Sequence, residues 1–140
     1  MKIAVDFDGT IVENKYPDIG KEMLFAFSTL KALKKNGHHL VLWTYRTGRE
    51  LDAAVEFCRN NGIEFYAVNK DYPEEVFDAK SNRKIHADLF IDDRNIGGFL
   101  GWSKVWQLLN PDSGNFKDMV IDQAAHSNYK TNFFKRLFKK

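Results

Sequence analysis

Lys2-Ile3-Ala4-Val5-Asp6-Phe7-Asp8-Gly9-Thr10 decides how the rest of the chain is read. The run from Lys2 to Val5 is short, apolar and β-branched, as a strand buried on both faces requires. It ends in acid. Alternate residues share a face only while a strand continues, and Gly9 stops it. A turn beginning at Phe7 then lets Asp6 project from the strand tip while Asp8 folds over the same space, and turning backbone N–H groups can cradle an anion there. Two carboxylates would meet one phosphate. The competing reading is an Asx turn in which Asp8 only caps its own loop.

Outward from this stretch, strands and helices alternate. After a polar loop with Pro17 and Gly20, the apolar residues Met23, Leu24, Phe27, Leu30, Ala32 and Leu33 recur at helical spacing, and Asn36-Gly37 supplies the stop. Residues 39–45 read as a second buried strand, and Thr47 with Glu50 has the spacing of a capping box opening a helix whose inner face carries Leu51, Ala54, Val55 and Cys58. Asn61-Gly62 ends that helix. Residues 65–68 and 87–92 read as a third and a fourth strand, the last again finishing in acid, and 102–109 reads as a helix stopped before Pro111. This order predicts an α/β fold: a doubly wound three-layer sandwich with a central parallel sheet. Such sheets bind ligands beyond the carboxyl ends of their strands, where the strand order switches. Those ends carry Asp6, Thr44, Asp92 and Asp93.

Asp92-Asp93-Arg94 places adjacent carboxylates at one strand tip. Clustered acids repel one another unless a hard cation neutralises them, and ligands that are all oxygen favour Mg²⁺. The alternative is a solvated surface pair with Arg94 as a local counter-charge.

With these residues in place, the chain resembles the haloacid dehalogenase superfamily of phosphohydrolases over about residues 1 to 110. Asp6-Phe7-Asp8-Gly9-Thr10 is similar to that family's first motif, Thr44 to its second, Lys84 to its third and Asp92-Asp93 to its fourth. The resemblance implies a Rossmann-like core and a phosphatase working through an aspartyl-phosphate. Asp6 would be the nucleophile, and Asp8 would protonate the leaving oxygen and later activate water. Thr44 and Lys84 would bind the phosphoryl oxygens. Asp6, the backbone carbonyl of Asp8, and Asp93 or Asp92 would hold Mg²⁺. Lys80 competes with Lys84 for the lysine role, since both precede the fourth strand.

Spacing adds a second clue. Thr10 and Thr44 are separated by 33 residues and Thr44 and Lys84 by 39, which leaves no room for a cap domain. A capless site is open to solvent and suits a phosphorylated substrate that brings its own bulk, or an oligomer whose neighbouring subunit closes the site. Residues 13–19 and 71–77 are candidates for substrate contacts, and Arg46 and Arg49 for a second anionic group. His38, His39 and His86 lack ligand partners, Cys58 reads as packing, and Trp43, Trp102 and Trp106 read as core.

Composition agrees with one globular domain. The 140 residues are 44 % hydrophobic and 29 % charged, which excludes global disorder. Residues 1–112 hold 15 basic and 17 acidic side chains, and residues 113–140 hold 6 and 2. The core (1–112) is thus not of the basic nucleic-acid-binding type, and any electrostatic attraction to polyanions would come from the tail (113–140). Phe133, Phe134, Leu137 and Phe138 interleave with the tail's cations as in an amphipathic helix that docks on the body or on a partner, with a membrane surface or nucleic acid as the weaker options. A lone cysteine and the acids near the N-terminus point to a cytoplasmic protein. Beside the enzyme reading stand a non-catalytic phosphate- and metal-binding regulatory module and, with a poorer fit to the motif order, a response-regulator receiver.

Overall fold

Ile3, Ala4 and Val5 are buried in β1 (Lys2–Val5), at the centre of a four-stranded parallel sheet in a computed structural model that describes residues 1–112. The strand order is β3 (Ala67–Val68), β2 (His39–Leu42), β1, β4 (Leu89–Ile91). Register follows from parallel pairing: Ile3 sits opposite Leu40 and Leu89, and Val5 opposite Leu42 and Ile91. The chain winds from β1 through α1 (Ala26–Lys35) to β2, through α2 (Gly48–Asn60) to β3, and then crosses back over β1 to β4. The winding direction therefore reverses between β1 and β4, and their carboxyl ends flank the crevice that this reversal opens. The fold is α/β and Rossmann-like, as expected.

The strands are shorter than the sequence pattern implied. β2 closes at Leu42, so Thr44 and Tyr45 lie in the loop beyond it, and β3 keeps only Ala67 and Val68, with Tyr66 N–H and Asn69 N–H bonding the Leu40 and Leu42 carbonyls at its ends. No helix occupies the β3–β4 connection. Its Pro73 and dense charges give no apolar stripe to bury, so that half of the expected winding is made by irregular chain.

The first helix also begins later than its periodicity suggests. Met23 and Leu24 were read as helical, but Met23 N–H bonds the Ile11 carbonyl and Glu13 N–H the Lys21 carbonyl, which makes 11–13 and 21–23 a small antiparallel ladder. Phe25 then takes a left-handed turn at φ 66°, and the Glu22 side chain caps the helix by accepting from Phe27 N–H at 3.1 Å. Leu24 is left exposed. Gly20 pinches the base of this hairpin, since a Cβ there would stand 2.0 Å from the Glu13 carbonyl oxygen. The loop 14–20 is thus held at both ends beside the sheet tips.

α2 starts at Gly48, with Thr47 at its N-cap but no cap hydrogen bond from the hydroxyl, so the expected capping box does not form. Gly48 lies at φ 55°, which bends the first turn away from box geometry. Both Asn-Gly stops hold: Gly37 and Gly62 donate back to Lys34 and Arg59 carbonyls.

By packing, the described residues fall into two units, the first Met1–Trp102 and the second beginning at Ser103. α3 (Trp102–Leu109) matches its expected bounds, and Val105 and Leu108 in it are buried. The amphipathic segment expected at 127–140 lies outside the described residues. Among the described residues no helix is long and apolar enough to cross a membrane.

Trp102, 1 % exposed, donates its indole N–H to the Thr10 carbonyl at 2.8 Å and so ties down the loop that follows Asp8. Replacing it by Phe removes the donor and leaves a buried carbonyl unpaired, a loss of about 1–3 kcal/mol. Urea denaturation of Trp102→Phe is expected to show a lowered midpoint of that size.

Candidate active site

Three carboxylates from two adjacent strands converge. Asp6 follows β1, Asp92 and Asp93 follow β4, and oxygens of all three lie within 4.8 Å of one another. Asp6 N–H bonds the Ile91 carbonyl at 2.9 Å, so the sheet ladder itself holds the two acidic tips side by side. Gly9 makes the closeness feasible. A Cβ at residue 9 would stand 2.1 Å from Asp93 Oδ2, and its φ of 82° is one that L side chains rarely adopt.

Electrostatics follows from the crowding. Burial, and then the Asp92 and Asp93 carboxylates, push Asp6 from its ordinary value of 3.8 up to about 7. Asp93 Oδ1 is buried with no hydrogen-bond partner. Asp92 is better satisfied, accepting from Arg94 N–H at 2.8 Å. An all-oxygen donor set, mutual repulsion and an unpartnered buried carboxylate oxygen fit a hard divalent cation. The two neighbours differ in what they have left: Asp93 Oδ1 has no partner, whereas Asp92 spends one of its oxygens on the turn.

Asp8 sits on the same cavity, but in an arrangement that sequence reasoning did not anticipate. Arg46 is fully buried and grips both Asp8 oxygens, Nε to Oδ2 at 2.7 Å and Nη2 to Oδ1 at 2.8 Å. Its remaining N–H groups go to the carbonyls of Pro17, Glu50 and Asp18. All five donors of the guanidinium are used. Arg46 therefore has none left for a second anionic group on a substrate, which corrects that expectation. Hydrogen bonding to Asp8 holds the guanidinium firmly charged. Its plane is flanked by the Phe7 and Tyr16 rings at 5.0 and 5.2 Å.

Thr44 lines the cavity as expected, with its hydroxyl accepting from Arg46 N–H at 3.2 Å. Asn69, which no motif flagged, braces this loop: its Oδ1 accepts from Thr44 N–H at 2.8 Å and its Nδ2 donates to the Arg46 carbonyl at 3.3 Å. The signal lay in an Asn directly after a short strand, where its amide can replace the ladder that the strand no longer supplies.

Lys84 is not brought to the site. Parallel register puts the residues before β4 at the amino end of the sheet, where Asp88 N–H bonds the Lys2 carbonyl, so a short link to the strand carries Lys84 away from the tips. It is exposed, with Nζ 5.7 Å from the Phe90 ring centroid. Lys80 does not line the cavity either. The cation that does is Arg94. Of the two candidate loops, 13–19 contributes Asn14 and Tyr16, whereas Asp71 of the other pairs with Lys2 at the far end of β1. Cys58 is buried packing, its thiol pushed up to about 12 by burial. Trp102 is core as expected, while Trp43 is half-buried and lines the cavity.

No protein-family model matches the chain, and no curated protein does. A solved structure from Bacteroides thetaiotaomicron, described as a conserved protein with no activity stated, matches with a TM-score of 0.77 and 53 % sequence identity, over 85 % of this chain and 96 % of that one. This chain belongs to that protein's family. The likeness supports the fold and leaves the chemistry to be argued from the side chains.

An unfolded chain releases the Asp6 proton near 3.8, whereas the folded, metal-free protein keeps it up to about 7. Asp6 thus favours the folded state fully below about 3.8, and that preference fades as pH rises to about 7. Denaturation midpoints of metal-free protein are expected to fall across this window and to fall less in Asp6→Asn. Added Mg²⁺ is expected to raise the wild-type midpoint more at pH 8 than at pH 5.

Proposed function

We propose that this chain is a Mg²⁺-dependent phosphomonoester hydrolase of the haloacid dehalogenase type, working through an aspartyl-phosphate on Asp6. The observation that carries the reading is the convergence of Asp6, Asp92 and Asp93 at the β1–β4 crevice, with Asp93 Oδ1 unpartnered and Asp8 and Thr44 on the same cavity. Asp6, Asp92 and Asp93 are the residues that would hold the cation. When bound, Mg²⁺ supplies positive charge that keeps Asp6 ionised and offsets repulsion between the carboxylates and an anionic ester.

The chain's own groups do the rest. An Asp6 oxygen attacks phosphorus and the ester P–O bond breaks, its electrons leaving on the alcohol oxygen, which takes a proton from Asp8. Water, giving its proton to Asp8, then attacks the same phosphorus, breaking the bond to Asp6 and releasing inorganic phosphate. The Thr44 hydroxyl and Arg94 meet the phosphoryl oxygens, taking the place that the sequence assigned to Lys84. Arg46 acts through Asp8: it fixes the direction of the carboxyl group, and the Asp8 oxygen that carries the proton must give up its guanidinium bond. The open cavity fits the capless arrangement.

One observation favours a second reading, a non-catalytic phosphate- and metal-binding module: in the structure both Asp8 oxygens are occupied by Arg46. Turnover decides. With p-nitrophenyl phosphate, Mg²⁺-dependent hydrolysis is expected, abolished by EDTA and by Asp6→Asn, and lowered about 10²–10⁴-fold in Asp8→Asn. Arg46→Lys keeps a charge but not the two-pronged grip, and is expected to lower kcat more than it raises KM. Mg²⁺ and phosphate binding by calorimetry, with no turnover of a broad phosphoester panel, would instead establish the module.

A further inference from the structure

We infer that the leaving group of the substrate is a nucleoside, its base stacked on an aromatic corner at the mouth of the cavity. This rests on the phosphatase reading and names its substrate class. The cavity has a volume of about 690 Å³ and is lined by Asn14, Tyr16, Trp43 and Tyr45 besides the acids, Thr44 and Arg94. Sites of roughly 300–1,000 Å³ hold whole small molecules, so there is room for far more than a phosphoryl group.

Tyr45 is the telling residue. It directly follows Thr44, yet it is 87 % exposed, so its ring does almost nothing for the core. Tyr16, 48 % exposed, meets it edge to face, with centroids 6.1 Å apart and planes at 72°. Two perpendicular rings form a corner that offers one face for stacking and one edge for packing. Tyr16 is also preset: the guanidinium against its ring is Arg46, itself fixed by five hydrogen bonds, and its loop is closed at Gly20. A rigid aromatic wall costs an incoming flat ring little ordering.

Asn14 adds what a plain aryl group would not use. Its Oδ1 accepts from Tyr16 N–H at 3.3 Å, which fixes the side chain and leaves its Nδ2 and a second lone pair to read the edge of a base. Aromatic faces and an amide for the base, and acids with Thr44 and Arg94 for the phosphate, lie on one cavity.

The test compares adenosine 5′-monophosphate and uridine 5′-monophosphate with ribose 5-phosphate, which presents the same ester without a base, using the full chain and Mg²⁺. Base stacking on an aromatic side chain predicts that kcat/KM favours the nucleotides by about 10-fold or more, and that Tyr45→Ala shrinks that ratio while Tyr45→Phe keeps it. A ratio near one, or a phosphotyrosine peptide preferred over both nucleotides, overturns the inference and leaves the phosphatase standing. Calorimetry with Asp6→Asn protein separates the two claims. Tighter binding of adenosine 5′-monophosphate than of ribose 5-phosphate, with no wild-type turnover of either, sinks the hydrolase and upholds the aromatic corner; equal binding sinks the corner.

Discussion

A guanidinium sealed from water must spend every N–H it has, and Arg46 does so on three different parts of the chain. It takes both oxygens of Asp8, two carbonyls of the loop after Asn14 and one carbonyl in the first turn of α2. Each of those segments has a gap that this residue fills: Asp8 lies in a turn, the loop is held at its ends but has no ladder across its middle, and α2 lacks a side-chain cap. A buried pair broken by removal of one partner typically costs about 3–5 kcal/mol, so the arrangement behaves as a unit. The direction of Asp8, the placement of Tyr16 and the start of α2 are one structural fact.

The sheet supplies the other constraint. Reversal of winding between β1 and β4 leaves a crevice at their carboxyl ends, and the ladder bond from Asp6 N–H to the Ile91 carbonyl fixes how far apart the two acidic tips stand. Four parallel strands thereby impose a distance that carboxylates would not choose. The raised proton affinity of Asp6 and the unpartnered Asp93 oxygen are two expressions of that imposed closeness.

Strands buried on both faces announce themselves as apolar runs, and so β1, β2 and β4, the parallel class and the acids at their tips were legible. Thr44, read as the end of the second strand, lies two residues beyond β2 and still lines the cavity. What depended on side chains meeting across long stretches of sequence was not. Arg46 lies 38 positions from Asp8, and nothing local says that it turns inward. Lys84 misled for a related reason: nearness in sequence to β4 was read as nearness to its carboxyl end, whereas parallel register places whatever precedes a strand at the opposite end. Met23 and Leu24 carried helical spacing but were captured by pairing with 11–13, a tertiary preference that periodicity cannot express.

The two ends of β1 divide their labour. At the amino end, Lys2 pairs with Asp71, and Asp88 bonds both the N–H and the carbonyl of Lys2, so opposite charges are matched and the chain is stitched together. At the carboxyl end, beside the matched Asp8, the like charges of Asp6, Asp92 and Asp93 are gathered together. Tolerance to substitution is therefore polarised along a single strand: the amino end is where an engineer can add stabilising contacts without disturbing reactivity, and the carboxyl end is where robustness and chemistry compete for the same atoms.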